Sequence, residues 1–152
     1  MHVTINFIYN DELPERDVNI EINPLNSEML RELKAIVNRA SGDRITYMQG
    51  EKHYYLGLDE VLFFDTSQKQ VYAHTKNDIY KTDKKLYQLE EILPMSFMRV
   101  SKATIVNTKK IRSITHNITS SSLVEFAGTV KETYVSRQYY KSLVEKINNG
   151  GL

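Results

Sequence analysis

The chain has 152 residues with 20 basic and 19 acidic side chains, a net charge of +1 and no cysteine. This length suits one ordinary domain, or one domain plus a short extension, and the lack of cysteine excludes disulfides and thiolate metal sites. There is no signal-peptide pattern and no apolar run long enough to span a membrane, so we expect a cytoplasmic protein.

The small net charge conceals an uneven distribution along the chain. Residues 1–65 carry −6, residues 66–94 carry +1, and residues 95–152 carry +6. An acidic front and a basic back suggest a polyanionic partner for the back half. Chance sampling of surface charge can give the same asymmetry, so charge alone leaves the partner open.

Residues 1–43 are predicted to form a β-β-α extension. Alternating apolar residues predict strands over His2–Tyr9 and Val18–Ile22. Asn26 or Ser27 can cap a helix that runs to about Ala40. This piece is small for an independent core, so we expect it to pack on the rest of the chain or on a partner.

Residues 44–152 are predicted to form a strand-rich domain with two short helices. One helix covers Leu86–Leu93 and ends at Pro94, and Ser136 caps the last helix of the chain. The sequence therefore predicts a mainly β (α+β) fold. The predicted strands are Arg44–Met48, Lys52–Leu56, Val61–Phe64, Lys69–Thr75, Ile79–Lys81, Met98–Val106, Ile111–Ile118, Leu123–Phe126 and Val130–Val135.

No set of residues has a spacing typical of catalysis. His2, His53, His74 and His116 show no helical spacing of a metal-binding pair, and Ser136 lacks the glycine pattern of a nucleophile elbow. The chain also has no glycine-rich phosphate loop. We therefore expect no enzyme, no metal site and no cofactor.

The most informative segment runs from residue 97 to residue 114. It alternates apolar and polar residues and places Asn107 and a basic cluster directly after Ile105-Val106. About twenty residues later, Ser136-Arg137 opens the last helix. An Asn at a strand end can present its amide to the edge of a base, and a basic residue at a helix start is disfavoured by the helix dipole unless an anion or a base lies nearby.

These segments, with Leu58–Asp65 and Leu86–Pro94 upstream, resemble the LytTR family of bacterial DNA-binding domains. The resemblance covers roughly residues 45–147. It implies an elongated stack of small antiparallel sheets with short helices, preceded here by the β-β-α extension.

The resemblance also implies a function, which is sequence-specific regulation of transcription. Family members insert loops and a helix start into successive major grooves and bind repeated promoter sites as pairs, so a homodimer is expected. The extension is too short for a receiver domain. The chain is similar to short stand-alone regulators of Gram-positive bacteria that are often restrained by a small membrane protein, and the extension is the candidate surface for self-association or for that inhibitor.

The resemblance assigns base readout to Asn107 and to Arg137, with Gln138 sharing the assignment. Neither Asn107 nor Arg137 is expected to lie in the core. Two alternatives remain open. Asn107 can be a turn-forming residue bonded to the local backbone, and Arg137 can project into solvent or pair with a carboxylate.

The remaining predicted DNA contacts are basic or polar residues. Ser101 and Lys102 occupy the family's contact triplet, where lysine favours a phosphate contact over base readout. Lys69 lies in the turn that corresponds to a third contact loop, and Lys109 follows Asn107 in the basic cluster.

Two other functions stay open at this stage. The chain can be a protein-interaction module that docks an acidic partner through its basic C-terminal face. A small-molecule sensor built on the tyrosine-rich strands has less support, because tyrosines in strands mostly suit sheet packing.

Overall fold

A computed structural model describes residue 12, residues 27–40 and residues 44–150. The strands predicted over His2–Tyr9 and Val18–Ile22 lie outside these residues. Helix α1 (Ser27–Ala40) has the predicted bounds. Among the helices that the structure describes, none is long and apolar enough to cross a bilayer.

Two more helices flank the sheets of the domain. Helix α2 (Leu86–Ile92) packs on α1, and the Met95 N–H donates to the Glu32 carboxylate of α1 at 3.0 Å. Helix α3 (Arg137–Gly150) packs on strand β6. The ten strands of the described residues are β1 (Tyr47–Gln49), β2 (Lys52–Tyr54), β3 (Phe63–Ser67), β4 (Gln70–His74), β5 (Ile79–Thr82), β6 (Phe97–Ser101), β7 (Thr104–Asn107), β8 (Ile111–Thr115), β9 (Ser122–Phe126) and β10 (Glu132–Val135).

The strands form two antiparallel sheets. The larger has seven strands in the order β2-β1-β5-β4-β3-β7-β6, and the smaller has three in the order β10-β9-β8. Every strand pairing is antiparallel, and short turns join most neighbours. The mainly β fold with antiparallel sheets and short helices is confirmed.

The prediction of one strand over Met98–Val106 is wrong. The chain forms a hairpin there, with Lys102 and Ala103 in the turn between β6 and β7. The pairing register shifts between Arg99 and Ser101, which marks an irregular hairpin end. The sequence hides this turn because the turn contains no Gly, Pro or Asn.

The seven-stranded sheet has a hydrophobic core on each face. Phe64 and Ile105 belong to the core shared with α2, whereas Phe63 and Val106 belong to the core shared with the small sheet and α3. Neighbouring residues of β3 and β7 therefore point to different cores, as the two-residue period of a strand requires. Strands β3 and β7 are therefore packed against a hydrophobic core on each face of the sheet.

Because neighbouring strands run antiparallel, the turns and loops that join them lie at two opposite ends of the sheets. We call one the Lys102 end: it carries the β3–β4 turn (68–69), the β6–β7 turn (102–103), the β8–β9 loop (116–121) and the start of α3 (136–138). We call the other the Lys109 end: it carries the β4–β5 turn (75–78), a single 3-10 turn (108–110) and the β9–β10 turn (127–131). β7 connects the two ends, which lie roughly 10 Å apart along this strand.

Candidate nucleic-acid interface

The Lys102 end is assembled by backbone hydrogen bonds between its loops. The Thr66 N–H donates to the Ala103 carbonyl at 2.9 Å, which joins the β3–β4 turn to the β6–β7 turn. The Ser136 N–H donates to the Val100 carbonyl at 2.9 Å, which joins the start of α3 to the same hairpin. Three separate segments thus form one surface.

The β3–β4 turn places Lys69 at this surface in an unusual backbone conformation. Gln68 and Lys69 both have positive φ, 48° and 66°. Two successive residues with positive φ match the twist of a hairpin with a two-residue turn. These positions usually hold Asn or Gly, because at positive φ other side chains crowd the backbone. Lys69 is exposed, and its carbonyl accepts a hydrogen bond from the Lys85 ammonium at 3.4 Å.

Lys85 is a cation of this surface that the sequence did not indicate. It immediately precedes α2 and reaches the β3–β4 turn because β5 pairs with β4. That proximity depends on a contact between residues 16 positions apart. A lysine pair before the helix was the only available signal, and such pairs are common on protein surfaces.

The β6–β7 turn presents Lys102 to solvent. Lys102 is exposed, whereas Ser101 is half-buried and its hydroxyl accepts a hydrogen bond from the Ala103 N–H at 3.2 Å. The Ser101 hydroxyl thus stabilises the turn, and Lys102 is the side chain of this turn that is placed to meet a phosphate.

The start of α3 presents Arg137 and Gln138, which are both exposed. The Ser136 carbonyl accepts hydrogen bonds from the N–H groups of Tyr139 and Tyr140, both at 3.0 Å, so Ser136 occupies the N-cap position. Arg137 is the first residue of the helix, as predicted. Its charge therefore lies beside the positive end of the helix dipole.

An aromatic stack supports the adjoining loop. The His116 ring lies on the Tyr140 ring with centroids 3.9 Å apart and planes 7° apart. The stack fastens the β8–β9 loop to the first turn of α3, and the loop's Asn117 N–H donates to the Ser122 hydroxyl at 2.9 Å. No motif in the sequence indicated this contact.

Asn107 lies at the other end of β7 and is only 3% exposed. Its Nδ2 donates to the Val61 carbonyl at 3.0 Å, and its Oδ1 accepts from the Lys109 N–H at 3.2 Å. The expectation that this side chain lies outside the core is wrong. Because both ends of the amide are bonded within the chain, the geometry favours the turn-forming alternative.

Lys109 is exposed but belongs to the Lys109 end, away from the other predicted contacts. The loops there are tied to one another: the Thr129 hydroxyl donates to the Lys76 carbonyl at 3.0 Å, and the Lys131 ammonium donates to the Asp78 carbonyl at 2.6 Å. Burial lowers the pKa of Lys131, and the Asp78 carboxylate opposes this shift. Within residues 12, 27–40 and 44–150, no three potential metal ligands converge.

Comparison with known proteins gives a consistent result. The family described as the LytTr DNA-binding domain matches residues 51–148. An uncharacterized HTH-type transcriptional regulator of Staphylococcus aureus (strain MSSA476) is 28% identical over 146 residues, which cover 95% of this chain and 97% of that protein. A similarly named protein of strain MRSA252 is 27% identical over the same shares.

A solved structure supports the fold. A LytTr DNA-binding domain from Bacillus cereus superimposes with a TM-score of 0.60 at 23% identity and covers 68% of this chain and 94% of that domain. In the described part of this chain, strands separate every pair of successive α-helices, so the fold is not a helix-turn-helix. Because the family match spans most of the strand-rich domain, the chain belongs to the LytTR family of DNA-binding domains.

Proposed function

We propose that this protein is a cytoplasmic, sequence-specific transcriptional regulator that contacts DNA through its Lys102 end. The observation that carries the proposal is the convergence of two turns and a helix start, each with an exposed cation: Lys69, Lys102 and Arg137. Loops of this size can enter a major groove, where the edges of the four base pairs differ.

The contacts are divided by side-chain chemistry. Arg137 has the planar fork that suits guanine or phosphate, and Gln138 has an amide that suits adenine, so the start of α3 reads bases. Lys69 and Lys102 carry point charges on flexible stems and hold phosphates. Ser101 acts through the turn, because its hydroxyl is bonded to Ala103.

The test is selection of duplexes from a random pool by the full chain, followed by titration of the enriched duplex and a scrambled duplex. We expect the enriched duplex to bind at least 1,000-fold more tightly than the scrambled one at physiological salt, the lower part of the range for specific regulators. Equal binding of both duplexes contradicts sequence-specific readout.

The proposal extends to pairs of chains on repeated promoter sites. The family resemblance supports this arrangement and also implies a small membrane-protein inhibitor. The extension, residues 1–43, is the proposed surface for either contact, and in α1 the side chains of Leu30 and Ile36 are 38% and 47% exposed. A footprint of one site rather than two spaced repeats, with a monomeric mass on DNA, contradicts the pairing.

A second function, docking of an acidic protein segment, is supported by the Lys109 end. Three loops there carry Lys76, Lys109, Lys110 and Lys131 within one tied cluster. Binding of an acidic peptide that Lys109→Glu removes, with DNA affinity unchanged, supports this function. Loss of DNA affinity in Lys109→Glu instead places that end in the DNA interface.

A further inference from the structure

Arg99 of β6 directs its guanidinium at the turn that presents Lys102. Its Nε donates to the Ser101 carbonyl at 2.8 Å, and its Nη2 donates to the Lys102 carbonyl at 2.6 Å. Its Nη1 donates to the Glu90 carboxylate of α2 at 3.1 Å. One side chain thus connects two successive carbonyls of the turn to a helix.

The other polar groups of the turn are held as well. The Ala103 N–H donates to the Ser101 hydroxyl at 3.2 Å, and the Ala103 carbonyl accepts from the Thr66 N–H at 2.9 Å. The turn is therefore bonded on its carbonyl side by Arg99 and on its amide side by Ser101. The register shift leaves the residue between Arg99 and Ser101 outside the regular strand ladder, so these bonds supply contacts that the ladder does not.

We propose that Arg99 is a positioning residue for DNA binding, which fixes the β6–β7 turn so that Lys102 meets a phosphate in register with Arg137. This inference rests on the proposed function. The hydrogen bond from the Ser136 N–H to the Val100 carbonyl sets the position of Arg137 relative to the turn. It joins the start of α3 to the residue of β6 that directly follows Arg99. Arg99 itself does not touch DNA in this proposal.

The geometry separates this role from a direct phosphate contact. The Arg99 side chain is only 25% exposed, and all three guanidinium nitrogens donate to groups of the protein. Its charge is paired with Glu90. Lysine cannot replace it, because a single ammonium cannot reach two successive carbonyls and a carboxylate in the fixed directions of a guanidinium.

The first test uses the free protein without DNA. Amide hydrogen exchange at Lys102 and Ala103 is compared among wild type, Arg99→Ala, Arg99→Lys and the control Arg112→Ala, whose side chain on β8 is 60% exposed. We expect both Arg99 variants to exchange about tenfold faster in this turn, since local opening becomes easier, with strands β3 and β4 unchanged. Unchanged exchange in the turn overturns the positioning role.

The second test measures affinity for a duplex enriched from a random pool by the wild-type protein. Arg99→Ala and Arg99→Lys should each bind it about tenfold more weakly and should lower the salt slope alike, by up to about one, because the Lys102 phosphate contact is weakened together with the turn. In a Lys102→Ala background the Arg99→Ala loss should fall below about twofold, since the two residues act through one contact.

Each other outcome has a definite meaning. A salt slope reduced by about one in Arg99→Ala, and retained in Arg99→Lys, shows a direct phosphate contact and overturns the proposal. Full additivity with Lys102→Ala also overturns it. If Arg99→Ala fails to fold, Arg99→Lys carries both tests. If the wild type enriches no duplex, the proposed function fails, whereas the exchange measurement still reports whether Arg99 holds the turn.

Discussion

The two ends of the sheets are both rich in lysine, yet they use their polar groups differently. At the Lys102 end, hydrogen bonds hold the backbone of the turns, while Lys69, Lys102 and Arg137 remain exposed. At the Lys109 end, side chains themselves are engaged: Asn107 bonds to Val61, and Lys131 bonds to Asp78. Under the proposed function, the DNA-contacting surface therefore combines exposed cations with turns whose backbone is held by hydrogen bonds, and local charge alone does not identify it.

The largest effect expected is a loss of stability when Asn107 is replaced. Asn107→Ala removes one buried and one partly buried hydrogen bond and leaves the Val61 carbonyl without this partner, so we expect a loss of about 3 kcal/mol in the free energy of unfolding. Chemical denaturation measures it, with Asn77→Ala as the exposed control at the same end. Normal stability combined with weak binding of the enriched duplex would return Asn107 to the DNA contacts.

Replacement of Arg137 should give the next largest effect, on DNA recognition. Arg137→Ala should weaken binding of the enriched duplex by about 1–3 kcal/mol and lower its preference over the scrambled duplex. Lys141→Ala is the matched control, because Lys141 is exposed one turn further along α3. Equal losses in both variants would mean that α3 contributes general charge instead of base readout.

Lys102 and Lys109 test the comparison directly, because both are exposed lysines at opposite ends of β7. Lys102→Ala should weaken the enriched and scrambled duplexes alike and reduce the salt slope by about one, which is the signature of one lost phosphate contact. Lys109→Ala should leave the slope unchanged. Titration of DNA at several salt concentrations measures the salt slope of each variant. A lower slope in Lys109→Ala and an unchanged slope in Lys102→Ala would exchange the roles of the two ends.

The smallest effects are expected at Lys69, where replacement by glycine should raise stability but lower DNA affinity. Lys69→Gly relieves the positive φ of this residue and should raise the free energy of unfolding by roughly 1 kcal/mol. Lys69→Ala removes the same ammonium without that relief, so it is the matched control. Both variants should lose DNA affinity equally. A stability gain in the alanine variant as well would show that the turn is not strained.

Much of the architecture could be predicted from the sequence, because hydrophobic periodicity determines which segments are strands and helices. The bounds of α1 and the helix start at Arg137 followed from capping and apolar spacing. The β6–β7 turn did not, since Lys102 and Ala103 carry no turn signal. The burial of Asn107 was missed for another reason: its partner Val61 is 46 residues away, and such a contact exists only in the folded sheet.

The proposed site could be assembled from the sequence only in part, for the same physical reasons. Single residues could be chosen by chemistry, and Lys69, Lys102 and Arg137 do share one surface. Which loops meet depends on strand direction, so the sequence could not show that Lys109 lies at the opposite end of β7 from Lys102. Arg99 was overlooked because its role lies in three hydrogen bonds to a turn that the sequence did not reveal.

The two cores on either side of the large sheet have a consequence for how related sequences can diverge. Phe63 and Phe64 are adjacent yet belong to different cores, so an inserted or deleted residue within β3 would exchange the faces of the side chains that follow it in this strand. The same change in the turns at 68–69 or 102–103 leaves both cores intact. Length variation among relatives should therefore accumulate in the turns of the Lys102 end, where it alters the preferred DNA sequence without loss of the fold.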